Sequence, residues 1–386
     1  MSGVIFGKPF FIVMDDLVYM YAIAEIFKFN PLASRQLVEA VEDLSSLFSM
    51  EREELEGIVG CGNGLVEQFL RDDALEKSFK EVEWAKSKGV KMLSVKSIEY
   101  PIMLKECADA PIVLFYIGSS NLGRGFNLSM VGTRMASAYG RGAAARIVAD
   151  LAQQQIMAPD RELRIVSGLA YGIDIAAHKS ALDAGLETIG ILPCGIDLIY
   201  PKGHREIACK MVKQGGIITE FPHGIDVRRW QFIKRNRIIA GISAATIAVE
   251  TRIKGGSMST VEFANSYGRE VFAVPGRIDD FNSFGCNYLI SKNVAQIYTK
   301  EAMSQICNIT ASDGVEFLGS DNLFSFDDVK KEKILLSLEN NLALDTDTIC
   351  GLTGIPFDEI ASLLLEMELE GKIVLVQGHR YKVRGR

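Results

Sequence analysis

The sequence predicts an α/β fold whose centre is a doubly wound, mostly parallel sheet, because short apolar runs alternate with helical stretches between about residues 128 and 297. All but the last run precede a glycine or proline turn, as strands do in such sheets. The runs are apolar along their whole length, which is typical of strands that helices cover on both faces. The seven expected strands are Leu128–Val131, Leu163–Val166, Thr188–Leu192, Ile217–Thr219, Ala245–Val249, Val271–Val274 and Ala295–Ile297.

The rest of the chain differs in pattern from this central region. A length of 386 residues predicts about two or three domains. Residues 15–95 place apolar side chains at helical spacing, and a stretch rich in Ser, Asp and Gly follows the central region. We therefore expect an N-terminal helical domain over residues 1–98, a Rossmann-like domain over 99–310, a linker over 311–328 and a winged-helix domain over 329–386.

Both flanking domains have characteristic local patterns. A glycine-rich turn at residues 58–65 joins two short helices, as in a helix-hairpin-helix or SAM-like domain, and a plain interhelical turn is the alternative. The C-terminal pattern predicts three helices and a hairpin, which describe a small winged helix that reads duplex DNA or docks onto a protein. Its expected elements are Lys331–Leu338, Thr346–Thr353, Pro356–Glu370, Lys372–Val376 and Arg380–Val383. Its basic residues near the end are Lys372, His379, Arg380, Lys382, Arg384 and Arg386.

The charge distribution indicates a basic patch on an acidic protein. The net charge of −7 argues against a general coat for nucleic acid. Between residues 228 and 254, however, Glu250 is the only acidic residue, and the basic residues there are Arg228, Arg229, Lys234, Arg235, Arg237, Arg252 and Lys254. Such a cluster favours a phosphate-bearing ligand.

Cysteine, histidine and hydropathy patterns exclude several protein classes. The seven cysteines include no CxxC pair and the four histidines have no metal-ligand spacing, so we expect reduced thiols and no metal site. No secretion signal is visible, and the apolar runs are shorter than the roughly 20 residues that span a bilayer. We therefore expect a cytoplasmic protein that does not contact membranes.

The expected strands end in glycine-rich turns that can bind phosphate. In the first turn, Gly132-Thr133-Arg134, the free amides of the following helix and the Arg134 guanidinium suit a phosphate, and a purely structural turn is the alternative. The second and third turns contribute Ser167, Gly168, Tyr171, Gly172 and Lys202. The carboxyl ends of parallel strands meet at one sheet edge, so these turns should lie together.

A helix and a last glycine turn supply the remaining candidates. They are Arg235, Asn236, Arg237, Lys254, Gly256 and Ser257. Arg235 and Arg237 cannot share one helix face with equal exposure, so we expect one to pair with Glu220 or Glu250 and the other to meet phosphate; an ordinary solvated face is the alternative. The last turn resembles a phosphate nest. None of the turns matches GxGxxG or the GK[ST] ending of an ATPase loop, so neither dinucleotide binding nor ATP hydrolysis is expected.

Taken in order, these motifs resemble the DNA-processing protein A family, also called DprA or Smf. The resemblance is carried by residues 131–134, 139–140, 167–174, 177–178, 195–201, 235–241, 256–257, 268–269, 274–276 and 285–290. The flanking domains also match common family architecture, so the resemblance covers almost the entire chain. The sequence departs from the family pattern at Thr219, Ile233, Gly255 and Val261, where serine, proline, serine and alanine are usual.

The resemblance implies a non-enzymatic protein, without cofactor or catalytic residues, that binds single-stranded DNA without sequence readout. It further implies that the protein shields this DNA, loads RecA recombinase onto it during natural transformation and forms a homodimer. Arg134 and Lys202 are the DNA contacts that it indicates most directly. The alternative is an enzyme, a nucleoside-monophosphate phosphoribohydrolase on a similar fold, because Gly255-Gly256-Ser257 and Glu262 loosely resemble that enzyme's glycine turn and catalytic glutamate.

Overall fold

The computed structural model describes residues 15–59, 64–71, 73–313, 326–339, 343–369, 372–376 and 380–383. The chain divides into two compact units, Met1–Gly314 and Val315–Arg386. The first unit contains the N-terminal helices and a nine-stranded sheet, and the second contains a winged helix. None of the helices in the described ranges is long and apolar enough to cross a membrane.

The N-terminal helices share an apolar core with the sheet. They are α1 (Asp16–Ile26), α2 (Pro31–Ala40), α3 (Arg52–Val59), α4 (Leu65–Phe69) and α5 (Ala74–Ser87). Helix α2 begins at a proline, and the Asn30 side chain caps it by accepting a hydrogen bond from Ala33 N. Tyr21 of α1 meets Phe115 of the sheet edge-on, with 6.0 Å between ring centroids. The centre of the expected helix-hairpin-helix turn, residues 60–63, lies outside the described residues.

The sheet contains all seven expected strands, with ends that differ from the expected ones by about two residues at most. The strands are β1 (Lys91–Ser94), β2 (Val113–Gly118), β3 (Phe126–Gly132), β4 (Leu163–Ser167), β5 (Glu187–Ile191), β6 (Gly215–Thr219), β7 (Ala245–Glu250), β8 (Glu270–Ala273) and β9 (Gln296–Ile297). Strands β3 to β9 are parallel, whereas β2 runs antiparallel to β6 and β1 antiparallel to β2. The sequence does not predict β1 and β2, and β1 lies within the segment expected to be helical.

Helices cover both faces of this sheet. They are α6 (Ile102–Glu106), α7 (Ala138–Met157), α8 (Ile173–Asp183), α9 (Arg205–Lys213), α10 (Arg229–Gly241), α11 (Met258–Ser266), α12 (Phe284–Ser291) and α13 (Lys300–Asp313). Successive residues of a strand point to opposite faces, and the β4 neighbours Ile165 and Val166 belong to different apolar cores. One core includes residues of α7, α8 and α13, and the other includes residues of α9 and α10.

The winding direction of the sheet changes next to β3. The strand order is β1-β2-β6-β5-β4-β3-β7-β8-β9, so the chain winds from β3 outward to β6 and then returns to the other side of β3 as β7. This is the expected Rossmann-like, doubly wound arrangement, and its switch point lies between β3 and β7.

The second unit has the expected winged-helix elements. They are α14 (Phe326–Glu339), β10 (Leu344–Asp345), α15 (Thr346–Thr353), α16 (Phe357–Leu369), β11 (Ile373–Val376) and β12 (Arg380–Val383). The strands pair antiparallel in the order β10-β12-β11, and the core beneath them includes Ile334, Ile349 and Leu364. Most of the expected linker, residues 314–325, lies outside the described residues, and helices extend into both of its ends. His379, Arg384 and Arg386 also lie outside the described residues.

Candidate nucleic-acid interface

An open cleft of about 260 Å³ lies at the carboxyl ends of β3 and β7, next to the switch point. Ligands bind at such points because the loops after the two strands diverge and leave a crevice between them. The structure brings together the first turn, the second turn, α10 and the last turn. The polar and aromatic residues that line the cleft include Thr133, Arg134, Asp174, Phe232, Arg235, Asn236, Thr251, Arg252, Ser257 and Thr260, with Gly132, Gly255 and Gly256 between them.

Arg134 is the exposed cation of the first turn. Its guanidinium carbon lies 4.7 Å from the ring centroid of Phe232 on α10. Phe232 in turn meets Tyr200 edge-on at 5.7 Å. A guanidinium stacked on a ring face keeps its N–H edges available for hydrogen bonds, and the stacking reduces the rotamer freedom that binding must remove. Arg134 is therefore held in a conformation that suits a bidentate contact with phosphate.

The amide of Ser137, at the start of α7, already contacts a carboxylate, whereas the sequence predicts free amides there. The Glu250 carboxylate accepts a hydrogen bond from Ser137 N at 2.9 Å through Oε2. A Cβ at Gly140 would overlap this oxygen, so the glycine leaves the room that the carboxylate needs. Negative charge is favourable at a helix N-terminus, and here the protein supplies it. Phosphate binding at this turn must therefore use the Arg134 side chain rather than the α7 amides.

Ser167 and Gly168 of the second turn support the cleft without lining it. Ser167 is buried, and its Oγ donates a hydrogen bond to Met130 O at 2.6 Å. The carbonyl of Gly168 accepts a hydrogen bond from Arg235 Nη1 at 2.7 Å. A side chain at Gly168 would overlap the Arg235 guanidinium. Gly168 therefore positions Arg235 and Ser167 ties the turn to β3, and neither is itself a phosphate contact in this geometry.

Gly172 lets the second turn pack directly on the first. Its φ is +78°, and a Cβ there would overlap the carbonyl oxygen of Thr133. Tyr171 beside it is 53% exposed and meets His204 edge-on at 4.7 Å. Tyr171 and the exposed Lys202 do not line the cleft itself, but they belong to the turns at the same sheet edge.

The two arginines of α10 are buried to the same degree, since each is 3% exposed. The expectation of unequal exposure is wrong because α10 packs against β5, α6 and α11 together. Arg237 donates hydrogen bonds to Asp109 O and to the Glu220 carboxylate, so it is the structural arginine and does not line the cleft. Arg235 does line the cleft, and its Nη1 also donates to Ile191 O.

Asn236 connects α10 to the last glycine turn. Its Nδ2 donates a hydrogen bond to Ser259 Oγ at 2.9 Å and to Gly256 O at 3.3 Å. Ser257 Oγ bonds to Thr251 Oγ1 at 2.6 Å, and α11 begins after Ser257 without a side-chain cap. The start of α11 therefore borders the cleft together with this turn, which suits an anion. Lys254 is exposed beside the turn but does not line the cleft.

Burial changes the ionisation of two groups that line the cleft. Burial raises the pKa of the Asp174 carboxyl, and the nearby Arg235 opposes this shift. Burial also lowers the pKa of Arg235 to about 10, so this guanidinium remains charged at neutral pH. Ala170 N donates a hydrogen bond to Asp174 Oδ2 at 3.3 Å.

Five polar or aromatic residues that line the cleft are not among the candidate site residues, and Arg252 is named only as part of the basic cluster; they are Asp174, Phe232, Thr251, Arg252 and Thr260. Phe232 lies one helical turn before Arg235, and this spacing could have placed both on the side of α10 that faces the turns. No local pattern distinguishes Arg252 from the other basic residues of its segment. Its place in the cleft depends on how β7 packs beside β3.

Two observations concern a possible metal site and the phosphoribohydrolase alternative. They include no group of three or more His, Cys, Asp or Glu side chains that could hold a metal ion. Glu262, the glutamate of the phosphoribohydrolase alternative, is exposed on α11 and does not line the cleft.

The chain is similar to DNA-processing proteins from several bacteria. Residues 91–309 match the family model of DNA recombination-mediator protein A, and residues 328–379 match the DprA winged helix domain. Protein Smf of Escherichia coli is 31% identical over 308 residues, which cover 78% of this chain and 79% of that protein. The X-ray structure of DNA processing protein A from Streptococcus pneumoniae has a TM-score of 0.64 at 31% identity, covering 76% of this chain and 98% of that one.

A second solved structure is that of DNA processing protein A from Helicobacter pylori, whose description concerns its single-stranded DNA binding mode. Its TM-score is 0.50 at 26% identity, and the match covers 58% of this chain and 97% of that one.

Proposed function

The chain belongs to the DNA-processing protein A (DprA/Smf) family, and from this premise we propose that it binds single-stranded DNA in the cleft and catalyses no reaction itself. The observation that carries the proposal is Arg134, exposed at the switch point and stacked on Phe232. Cations that meet phosphates, together with aromatic rings, bind a single strand without sequence readout. The single-stranded DNA binding of the Helicobacter pylori relative supports this proposal.

Fluorescence anisotropy of a labelled poly-dT strand at several salt concentrations tests the proposal. We expect salt-sensitive binding by the wild type and a loss of about tenfold or more in the Arg134→Ala variant, because a charge-assisted phosphate contact is removed. Arg124→Ala is the matched control, since the Arg124 side chain is also exposed, at 70%, but it precedes β3, at the opposite end of this strand, where it pairs with Glu162. A folded wild type that does not bind at low salt would refute the proposal.

We further propose that the protein acts in the cytoplasm, where it shields incoming DNA and loads RecA recombinase onto it during natural transformation. Sequence-tolerant binding supports this role, because incoming DNA has no fixed sequence. RecA ATPase activity on a strand coated with single-strand-binding protein provides the test. The wild type should shorten the lag before ATP hydrolysis, and Arg134→Ala should not; an unchanged lag with the wild type would contradict RecA loading.

The phosphoribohydrolase alternative has a direct assay of its own. That enzyme needs a carboxylate beside its glycine turn, and Glu262 is exposed outside the cleft. We therefore expect no release of free adenine from AMP above the uncatalysed rate. Release that disappears in Glu262→Gln would favour the enzyme instead.

A further inference from the structure

A second arginine of the cleft is also stacked on an aromatic ring. Arg252 follows β7, and its guanidinium carbon lies 4.5 Å from the ring centroid of Phe281. Its Nε donates a hydrogen bond to Asn282 Oδ1 at 3.0 Å. Phe281 is 58% exposed and meets Phe284 edge-on at 5.7 Å. The neighbouring strands β3 and β7 therefore end in the same arrangement, an arginine on a phenylalanine, with Arg134 at one strand and Arg252 at the other.

The main chain at Arg252 is fixed by its neighbours. Gly285 N, at the start of α12, donates a hydrogen bond to Thr251 O at 2.8 Å. A Cβ at Gly285 would lie 2.7 Å from the carbonyl carbon of Arg252, so only glycine allows α12 to approach this closely. Thr251 Oγ1 bonds to Arg252 O at 3.2 Å and to Ser257 Oγ at 2.6 Å. Because this main chain is already fixed, binding of a ligand to Arg252 does not have to order it.

The charge of Arg252 is available to a ligand. The nearby acidic residues have other partners: Asp279 pairs with Arg277 at 3.0 Å, and the Asp280 carboxylate accepts hydrogen bonds from Asn282 N and the Ser283 hydroxyl. The ion pairs within the described ranges do not include Arg252. Because Asn282 accepts the hydrogen bond from Arg252 Nε, the two terminal nitrogens of Arg252 remain available to an anion.

We propose that Arg252, Phe281 and Asn282 form a second phosphate subsite, which binds the backbone of the same nucleic-acid strand that contacts Arg134. This inference rests on the proposed function. Phe281 holds the guanidinium by a cation–π contact and Asn282 fixes its plane, as Phe232 orients Arg134. Both arginines line one cleft and follow neighbouring strands, which lie about 5 Å apart in a sheet, so successive phosphates of one strand can meet both. The subsite therefore adds a second phosphate contact to the binding of one strand.

The test uses an oligothymidylate of about 20 nucleotides, which is longer than the site size of a typical single-strand groove. Arg252→Ala should weaken binding about tenfold and reduce the slope of log K against log salt by about 0.7, the value for one phosphate on a single strand. Phe281→Ala should weaken binding less, because the guanidinium remains but loses its support.

Arg277→Ala is the matched control, since Arg277 lies in the same loop as Phe281 and its side chain is 83% exposed. Far-UV circular dichroism and the melting temperature verify that each variant is folded. An unchanged salt slope in Arg252→Ala or an equal loss with Arg277→Ala would overturn the subsite and leave the proposed function intact. Failure of the wild type to bind the strand would overturn the proposed function itself.

Discussion

His178 of α8 is fully buried, and its imidazole bonds to Thr188 on β5. The Thr188 hydroxyl donates to Ile165 O at 3.0 Å, so it accepts from His178 Nδ1 at 2.7 Å. This sets the neutral tautomer with its proton on Nδ1, and Nε2 has no hydrogen-bond partner among the described atoms. Burial lowers the pKa of His178 to about 3, and repulsion from Arg235 acts in the same direction.

Acid should therefore destabilise the fold through this residue. The unfolded chain takes up the proton near pH 6.5 and the folded chain only near pH 3, so the free energy of unfolding falls as the pH drops between these values. In His178→Asn the side-chain amide keeps a donor for Thr188 but does not titrate. Between pH 7 and 5 this variant should lose about 2 kcal/mol less stability than the wild type in urea unfolding. Equal losses would contradict the buried, neutral histidine.

The sequence predicts that one α10 arginine pairs with Glu220 or Glu250, and this is confirmed, but it does not indicate which arginine or which acid. The motif singles out Arg235 and Arg237 and offers Glu220 and Glu250 as acids. The structure pairs Arg237 with Glu220 and places the Glu250 carboxylate at the start of α7. Which acid meets which group depends on where β6 and β7 end relative to α10 and α7. The packing of the whole sheet sets these positions. Local spacing contains no information about that packing.

At the scale of elements, the parallel strands could be predicted because each is a short apolar run between turns. Strands β1 and β2 could not be predicted in this way. The four residues of β1 include only one that is buried, Leu93, and they follow a segment with helical spacing, and β2 follows a proline at residue 111. They are strands because β2 pairs with β6 and β1 pairs with β2, which are contacts between distant segments. Propensity within the segment could not indicate such pairing.

Gly172 connects two elements, the turn after β4 and the turn after β3. Its φ of +78° and ψ of −120° belong to a region that glycine occupies, and a Cβ would overlap Thr133 O. Gly172→Ala should therefore lower the free energy of unfolding by about 2 to 4 kcal/mol, from backbone strain and overlap together. It should also weaken oligonucleotide binding, because Arg134 moves with Thr133.

Gly185→Ala separates strain from overlap in this experiment. Gly185 has a φ of +76°, but a Cβ there meets nothing within 4 Å. Urea unfolding should show a cost of about 1 kcal/mol for this variant and no change in binding. Equal costs at the two positions would mean that the contact with Thr133 is not what requires glycine at residue 172.

At the scale of the whole molecule, one edge of the sheet carries exposed apolar side chains. Strand β9 is the last in the sheet order, so one of its edges has no partner strand within the described part of the chain. Tyr288, Val294 and Ile297 near this edge are 41%, 37% and 49% exposed. Proteins rarely leave an unpaired edge beside apolar side chains uncovered. We propose that this surface forms the interface of the homodimer that the family resemblance implies.

Sedimentation equilibrium tests the interface. The wild type should have twice the mass of the 42.5 kDa chain, and Ile297→Glu should have the mass of one chain because a buried carboxylate would lack a partner. Ile156→Glu, at an exposed position on α7, should remain dimeric. A dimeric Ile297→Glu would assign the interface to another surface, and a monomeric wild type would exclude the homodimer.

Two clefts in one dimer raise the effective concentration of a strand that reaches both, so Ile297→Glu should weaken binding of long strands more than of short ones.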